Sequence, residues 1–133
     1  MNWNKAVIAG AVGGVALVVY DYVIHGVILA NTYQSLPEVF RAGANPLWFM
    51  ALAIILGVVA GLFFAKTRSS FAAGPKGGMM FGLWIGLIGF FATFYTPLTI
   101  TDFPYYLTWC QGSSVLIGWI VWGAVAGAMY KSA

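Results

Sequence analysis

Residues 46–65 read PLWFMALAIILGVVAGLFFA, a run with no charged side chain and no alternation of polar and apolar positions. At about 1.5 Å rise per residue such a run covers about 30 Å as a helix, the thickness of a bilayer's hydrocarbon core. A strand of a membrane barrel would instead alternate with period two. Asn45 followed by Pro46 supplies an N-cap and a proline at the first helical position, so the start of this helix is written into the sequence. The rest of the chain agrees. Of 133 residues, 62% are hydrophobic and 7% charged, and the mean hydropathy is +0.90. A soluble domain carries roughly 25% charged residues. Because lipid satisfies no backbone group, a chain of this composition crosses the membrane as helices.

Three further runs accompany the first, giving spans at Ala6 to Ala30, Pro46 to Ala65, Gly78 to Tyr95 and Pro104 to Tyr130. The fold class expected is an all-α integral membrane protein, a single domain over residues 1–133 with four helices in an up-down bundle. Asp102, shortly before Pro104, is placed to offer a carboxylate to the free amides of the last helix. Five of the six Lys and Arg residues (Lys5, Lys66, Arg68, Lys76 and Lys131) fall on one side of this topology and only Arg41 on the other. The positive-inside rule then puts both termini in the cytoplasm and makes the protein multi-pass. The first span lacks a small-x-small cleavage site and reads as a retained anchor. The net charge of +3 is split among short segments flanking helices, so it answers to topology and points to no nucleic-acid partner.

Glycines recur four apart in every span: Gly10 and Gly14, Gly57 and Gly61, Gly78, Gly82 and Gly86 with Gly89 following, and Gly123 and Gly127. Small residues at this spacing let helix backbones approach closely, and they suggest tight bundles or a homo-oligomer. At about 100° per residue, Asp21 and the only histidine, His25, continue the Gly10/Gly14 stripe, so both point into protein and not into lipid. The same arithmetic puts Thr93 on the glycine face of the third helix. By depth, Asp21, His25, Thr93, Tyr95, Gln111 and Ser114 gather in the outer half of the membrane, while the inner half holds almost no side chain able to hydrogen-bond. A polar pocket or pinned interface open to the outside is therefore expected around these six residues.

An acidic residue near a helix centre costs roughly 2.5 to 3.5 kcal/mol on insertion scales, and it usually finds a partner or lines a cavity. His25, one turn from Asp21, is the nearest partner. The pair has four readings: a hydrogen-bonded pin that fixes helix register, a proton- or ion-handling site, a metal, haem or pigment ligand through His25 with Asp21 supporting it, and catalysis. One histidine per chain is a poor supply for zinc, which takes three or four ligands. No GxSxG, HExxH or paired intramembrane aspartates name an enzyme.

The single cysteine, Cys110, excludes an internal disulfide and a CxxC pair, and reads as a buried thiol. Ser35-Leu36-Pro37-Glu38 matches a capping box, so a short interfacial helix is expected to run from there to Gly43, lying on the membrane or over the pocket. Trp3, Trp48, Tyr95, Tyr105, Tyr106, Trp109 and Tyr130 fall near span ends, as interfacial aromatic belts do, while Trp84, Trp119 and Trp122 lie deeper.

The start MNWNKAVIAGAVGGVALVVYDYVIHG, the PLWF entry, the KTRSSFAAGPKGG loop and the PLTITDFPYYLTW turn together resemble small bacterial four-span membrane proteins of the DUF1761-like type. The resemblance implies a bacterial cytoplasmic-membrane location and brings no activity, cofactor or catalytic residue with it. The functional expectation is a non-catalytic binding or assembly component in the lipid bilayer, homo-oligomeric or part of a larger membrane complex, with an outward polar site at Asp21 and His25. The alternatives are a small proton-coupled or ion-conducting transporter, and a haem, pigment or metal protein.

Overall fold

The computed structural model describes residues 1–131. Four helical stretches are long and apolar enough to cross a membrane: Trp3–Ile28, Pro46–Lys66, Pro75–Thr99 and Tyr105–Met129. The protein is an all-α, four-span membrane protein. In chain order the α-helices are α1 (Trp3–Asp21), α2 (Ala30–Gln34), α3 (Pro46–Lys66), α4 (Pro75–Ala92), α5 (Tyr95–Thr99) and α6 (Tyr105–Met129). Between α1 and α2 the chain winds as a π-helix over Tyr22–Ile28.

The helix starts follow local chemistry. The Asn2 side chain accepts from the Lys5 amide, so α1 begins several residues before the apolar run does. Asn45 accepts from the Leu47 amide with Pro46 behind it, as the sequence indicates. Gly74, at φ 78°, turns the chain in a conformation that L side chains avoid, and Pro75 starts α4 three residues earlier than expected. The Asp102 cap does not form. Pro104 occupies the cap position of α6 without a side-chain hydrogen bond, since its fixed φ already directs the chain into the helix. The capping box at Ser35 also fails, and for an identifiable reason. The Ser35 hydroxyl donates backwards to the Thr32 carbonyl at 2.6 Å and closes α2, so Ser35 ends a helix instead of beginning one, and residues 35–43 run as turns.

Laterally, α3 packs on α1, α1 on α6 and α6 on α4. The α1–α3 and α4–α6 crossings are glycine on glycine. A Cβ at Gly61 would lie 2.6 Å from the Ala6 carbonyl oxygen and 2.8 Å from the Gly10 Cα, and one at Gly127 would lie 2.9 Å from the Gly78 Cα. At both crossings the backbones are closer than any side chain permits. The α1–α6 contact is different: there Gly13 receives the indole of Trp122, and Gly118 receives Leu17 and Tyr20.

The end of the bundle that carries both termini is the better packed. Phe64, Phe81, Trp122 and Tyr130 are all buried there, with Phe64 against Phe81 at 5.1 Å and Phe81 against Trp122 at 5.9 Å between ring centroids. The Trp122 indole N–H donates to the Gly10 carbonyl at 3.3 Å, a buried hydrogen bond between α6 and α1. At this end Arg68 is buried, and its guanidinium donates to the carbonyls of Tyr130, Phe71 and Lys131 at 3.2, 2.8 and 2.8 Å. At the opposite end the bundle loosens, and residues 46–52 of α3 are exposed on every side. Trp84 faces outward and Trp122 fills the core, while Cys110, expected as a buried thiol, lies exposed on the outer side of α6.

Candidate functional site

His25 lies within the π-helical stretch, and that stretch determines what it meets. The winding is established by the Leu29 amide, which donates to the Ile24 carbonyl five residues back. The α1 side chains facing α6 are those meeting Trp122 and Gly118, from Gly13, Leu17 and Tyr20. Were α1 to continue at about 100° per residue, His25 would fall about 110° around the helix from that face. A π-helix turns by roughly 80° per residue, which over four residues brings His25 back to within about 40° of α6. The imidazole then reaches Ser114, itself buried on α6 one turn from Gly118, with its Nε2 3.5 Å from the Ser114 hydroxyl.

The other ring nitrogen has a closer partner. Nδ1 is hydrogen-bonded to the hydroxyl of Tyr33 at 2.5 Å, and the two rings are stacked with centroids 5.8 Å apart and planes 23° from parallel. Tyr33 is carried by α2, and its ring continues an aromatic series: Phe40 at 4.6 Å from Tyr33, then Phe103 at 6.0 Å from Phe40. Thus the loop between α1 and α3 folds over His25 through one phenol and one phenyl ring. Hydroxyls both donate and accept, so the imidazole keeps a partner on each side in either neutral tautomer and when charged.

Asp21 sits at the junction of α1 with the π-helix, half-buried, and its side chain makes no hydrogen bond or ion pair among the described residues. The expected Asp21–His25 hydrogen bond is not formed, because both ring nitrogens are turned to Tyr33 and Ser114. Asp21 acts instead at longer range. Burial is the main influence on the Tyr33 phenol and raises its pKa above the ordinary value of 10.0; the Gln111 side chain opposes this by hydrogen bonding, and charge on Cys110 or Asp21 adds to it. Tyr33, a residue that sequence reasoning missed, thus meets His25 directly and feels Gln111 and Asp21, while Ser114 stands at the opposite ring nitrogen.

The other two expected members lie elsewhere. Thr93 stands at the end of α4, donates to the Phe90 carbonyl at 2.6 Å and approaches Gly112, so its hydroxyl is spent on its own helix end. Tyr95 begins α5, is exposed, and with Trp84, Ile88, Phe91 and Leu98 lines an open apolar hollow of about 640 Å³. The helix breaks at Thr93, and that break swings Tyr95 off the polar face. One turn from Gln111, Thr108 is fully buried with a hydroxyl that takes no partner among the described residues. An orphaned hydroxyl of this kind costs about 1–3 kcal/mol. Thr108→Val, which keeps the shape and removes the hydroxyl, is expected to raise stability in detergent by about 1 kcal/mol, read as a higher thermal midpoint.

The cluster presents an imidazole, two hydroxyls, an amide and a carboxyl as hydrogen-bonding groups. Ser114 beside His25 sets a hydroxyl against an imidazole, and it lies inside α6, whose amides are bonded along the helix. Among the described residues no three His, Cys, Asp or Glu side chains are grouped to hold a metal ion. Axial ligation of a haem by His25 would first have to displace Tyr33 or Ser114. Comparison with protein-family models, with curated proteins and with solved structures returned no match, so the reading of the site rests on its geometry.

The raised Tyr33 pKa has a stability consequence. A group whose pKa is higher folded than unfolded contributes stability below its unfolded value, and that stability is lost as pH rises through the folded one. The protein is therefore expected to lose stability as the pH rises above about 10, and Tyr33→Phe to lose less of it over that range. Thermal midpoints of both proteins between pH 8 and pH 11.5 check this.

Proposed function

We propose that the protein is a membrane-embedded binding component whose ligand site is the cluster of His25, Ser114, Gln111 and Asp21 beneath Tyr33, open to the outer side and closed to the cytoplasm. It is a bacterial inner-membrane protein in this reading, with both termini inside, in keeping with the distribution of its basic residues. The observation that carries the proposal is the contrast between the two halves of the bundle. Toward the loop end, polar groups from α1, the π-helix, α2 and α6 converge; toward the termini, Leu17, Trp122, Phe64 and Phe81 fill the interior and leave no side-chain relay. An ion or proton path needs partners at each step through the hydrocarbon region, and this one stops after His25.

The glycine faces are taken up between helices of the same chain, so the proposal gives them a role in building the bundle and none in self-association. Proteoliposomes separate binding from transport. Wild-type protein is expected to carry no proton flux above that of empty vesicles, under an imposed pH gradient and membrane potential, and Asp21→Asn to behave the same. Flux that disappears in Asp21→Asn, with the fold intact by circular dichroism, would overturn the binding reading in favour of a transporter.

A further inference from the structure

The group nearest His25 belongs to the protein itself, and it is held from outside the four-helix frame. Tyr33 sits on a five-residue helix whose backbone packs chiefly on the π-helix, and no residue from 29 to 44 is fully buried. What holds this segment down is side-chain contact: the Tyr33 hydroxyl on the imidazole, its ring stacked on the same imidazole, and Phe40 against Tyr33 and Phe103. Beneath it lie a carboxyl with no partner among the described residues, an imidazole and a primary amide side chain, on helices fixed by glycine crossings. The firm part of the site is thus shaped around a phenol, and the phenol arrives on the part that is least firmly held.

Resting on the binding reading above, we propose that Tyr33 is an internal stand-in for the site's ligand: a molecule presenting a phenolic hydroxyl, as a membrane-dissolved hydroquinone or an alkylphenol does. The ligand would displace Tyr33 as the loop over residues 29–44 lifts. Its hydroxyl would take the Nδ1 position with Gln111 beside it, and its ring would lie between the imidazole and Phe40. The chemistry matches at each contact. A hydroxyl serves Nδ1 in either tautomer, an aromatic ring fits a stack of imidazole and phenyl, and an apolar tail fits the lipid that surrounds the half-exposed π-helix. An aliphatic alcohol would satisfy the first contact and lose the second.

The test uses the full-length protein in detergent, with the ring nitrogens of its only histidine labelled with 15N, so that His25 itself reports occupancy. Tyr33→Ala and Tyr33→Ser each remove the internal phenol at a site that is not fully buried, which keeps at least one folded variant available. The probe is 4-heptylphenol, with 4-heptylanisole as the control that lacks the hydroxyl hydrogen and p-cresol as the control that lacks the tail. The expected result is a saturable shift of the His25 resonances by 4-heptylphenol, with a Kd at least tenfold lower in the Tyr33 variants than in wild type. The anisole should give no such tightening, and adding His25→Gln should abolish tightening followed by tryptophan fluorescence. If p-cresol binds as tightly as 4-heptylphenol the phenol is water-borne; if the tail tightens binding, it is lipid-borne. Equal affinity in wild type and variants, or equal binding of phenol and anisole, overturns the proposal. Proton flux in the proteoliposomes would sink the binding reading without touching this result, so the two fail separately.

Discussion

Gly78→Val is expected to destabilise the protein by about 3 kcal/mol or more, enough to separate α4 from α6 over their first turns of contact. A Cβ at Gly78 would run into the Gly123 carbonyl oxygen and lie 2.8 Å from the Gly127 Cα, and both obstacles are backbone. A flexible side chain can swing aside, but a helix backbone moves only as a whole. Valine adds two methyl groups in a rotamer that the helix restricts, so α4 must retreat, and Gly82 and Gly86 then lose their fit against Trp119 and Leu116. Gly78→Ala should show a smaller loss in the same direction. Ile88→Ala, at an exposed position on the lipid side of the same helix, is the control and should change little. Thermal unfolding of the three variants in one detergent gives the comparison.

Arg68→Ala is expected to cost about 3 kcal/mol by a different route, removing three hydrogen bonds of which each charged one contributes roughly 1.5–3 kcal/mol before relaxation. The guanidinium is 4% exposed and no carboxylate accompanies it among the described residues. Its compensation is the carbonyl end of α6, where the last residues have no amide ahead of them and the helix dipole is negative. One fork binds Tyr130, Lys131 and Phe71, and the ring of Phe64 lies under it at 5.5 Å. The same Tyr130 accepts the Asn2 amide on its hydroxyl, so the clamp ties the start of α1, the α3–α4 loop and the end of α6 together. Arg68→Lys keeps the charge and loses the fork, and should recover less than half of the stability. Recovery to the wild-type midpoint would show that charge alone suffices and that the fork geometry is immaterial.

The four spans were legible because twenty-residue apolar runs leave one solution in lipid, and the Asn45–Pro46 start was legible because a cap is a local device. Phase arithmetic went wrong where its premise changed: at Tyr22 the winding becomes π-helical, and no residue pattern announces that. The mutual hydrogen bond expected of Asp21 and His25 was inferred from a spacing that the π-helix alters. Tyr33 was missed because an aromatic just past a span end usually belongs to the interfacial belt, and only the fold-back of α2 makes it a partner of His25. Arg68 was counted as a topology charge, since burial against the far end of the chain is invisible to local sequence. Thr93 and Tyr95 were placed by extending α4 beyond Ala92, where Thr93 terminates it with its own hydroxyl.

The central claim is that the polar cluster faces one side of the membrane and is sealed from the other, and the single histidine makes this measurable. Protein labelled with 15N in the imidazole is reconstituted in one orientation into vesicles, and the pH is changed on one side at a time. The account predicts that the His25 ring resonances titrate only with the pH on the loop side, and that Tyr33→Phe shifts Nδ1 while Ser114→Ala shifts Nε2. A His25 that titrates with the pH on the side of the termini, or one indifferent to both substitutions, would contradict it.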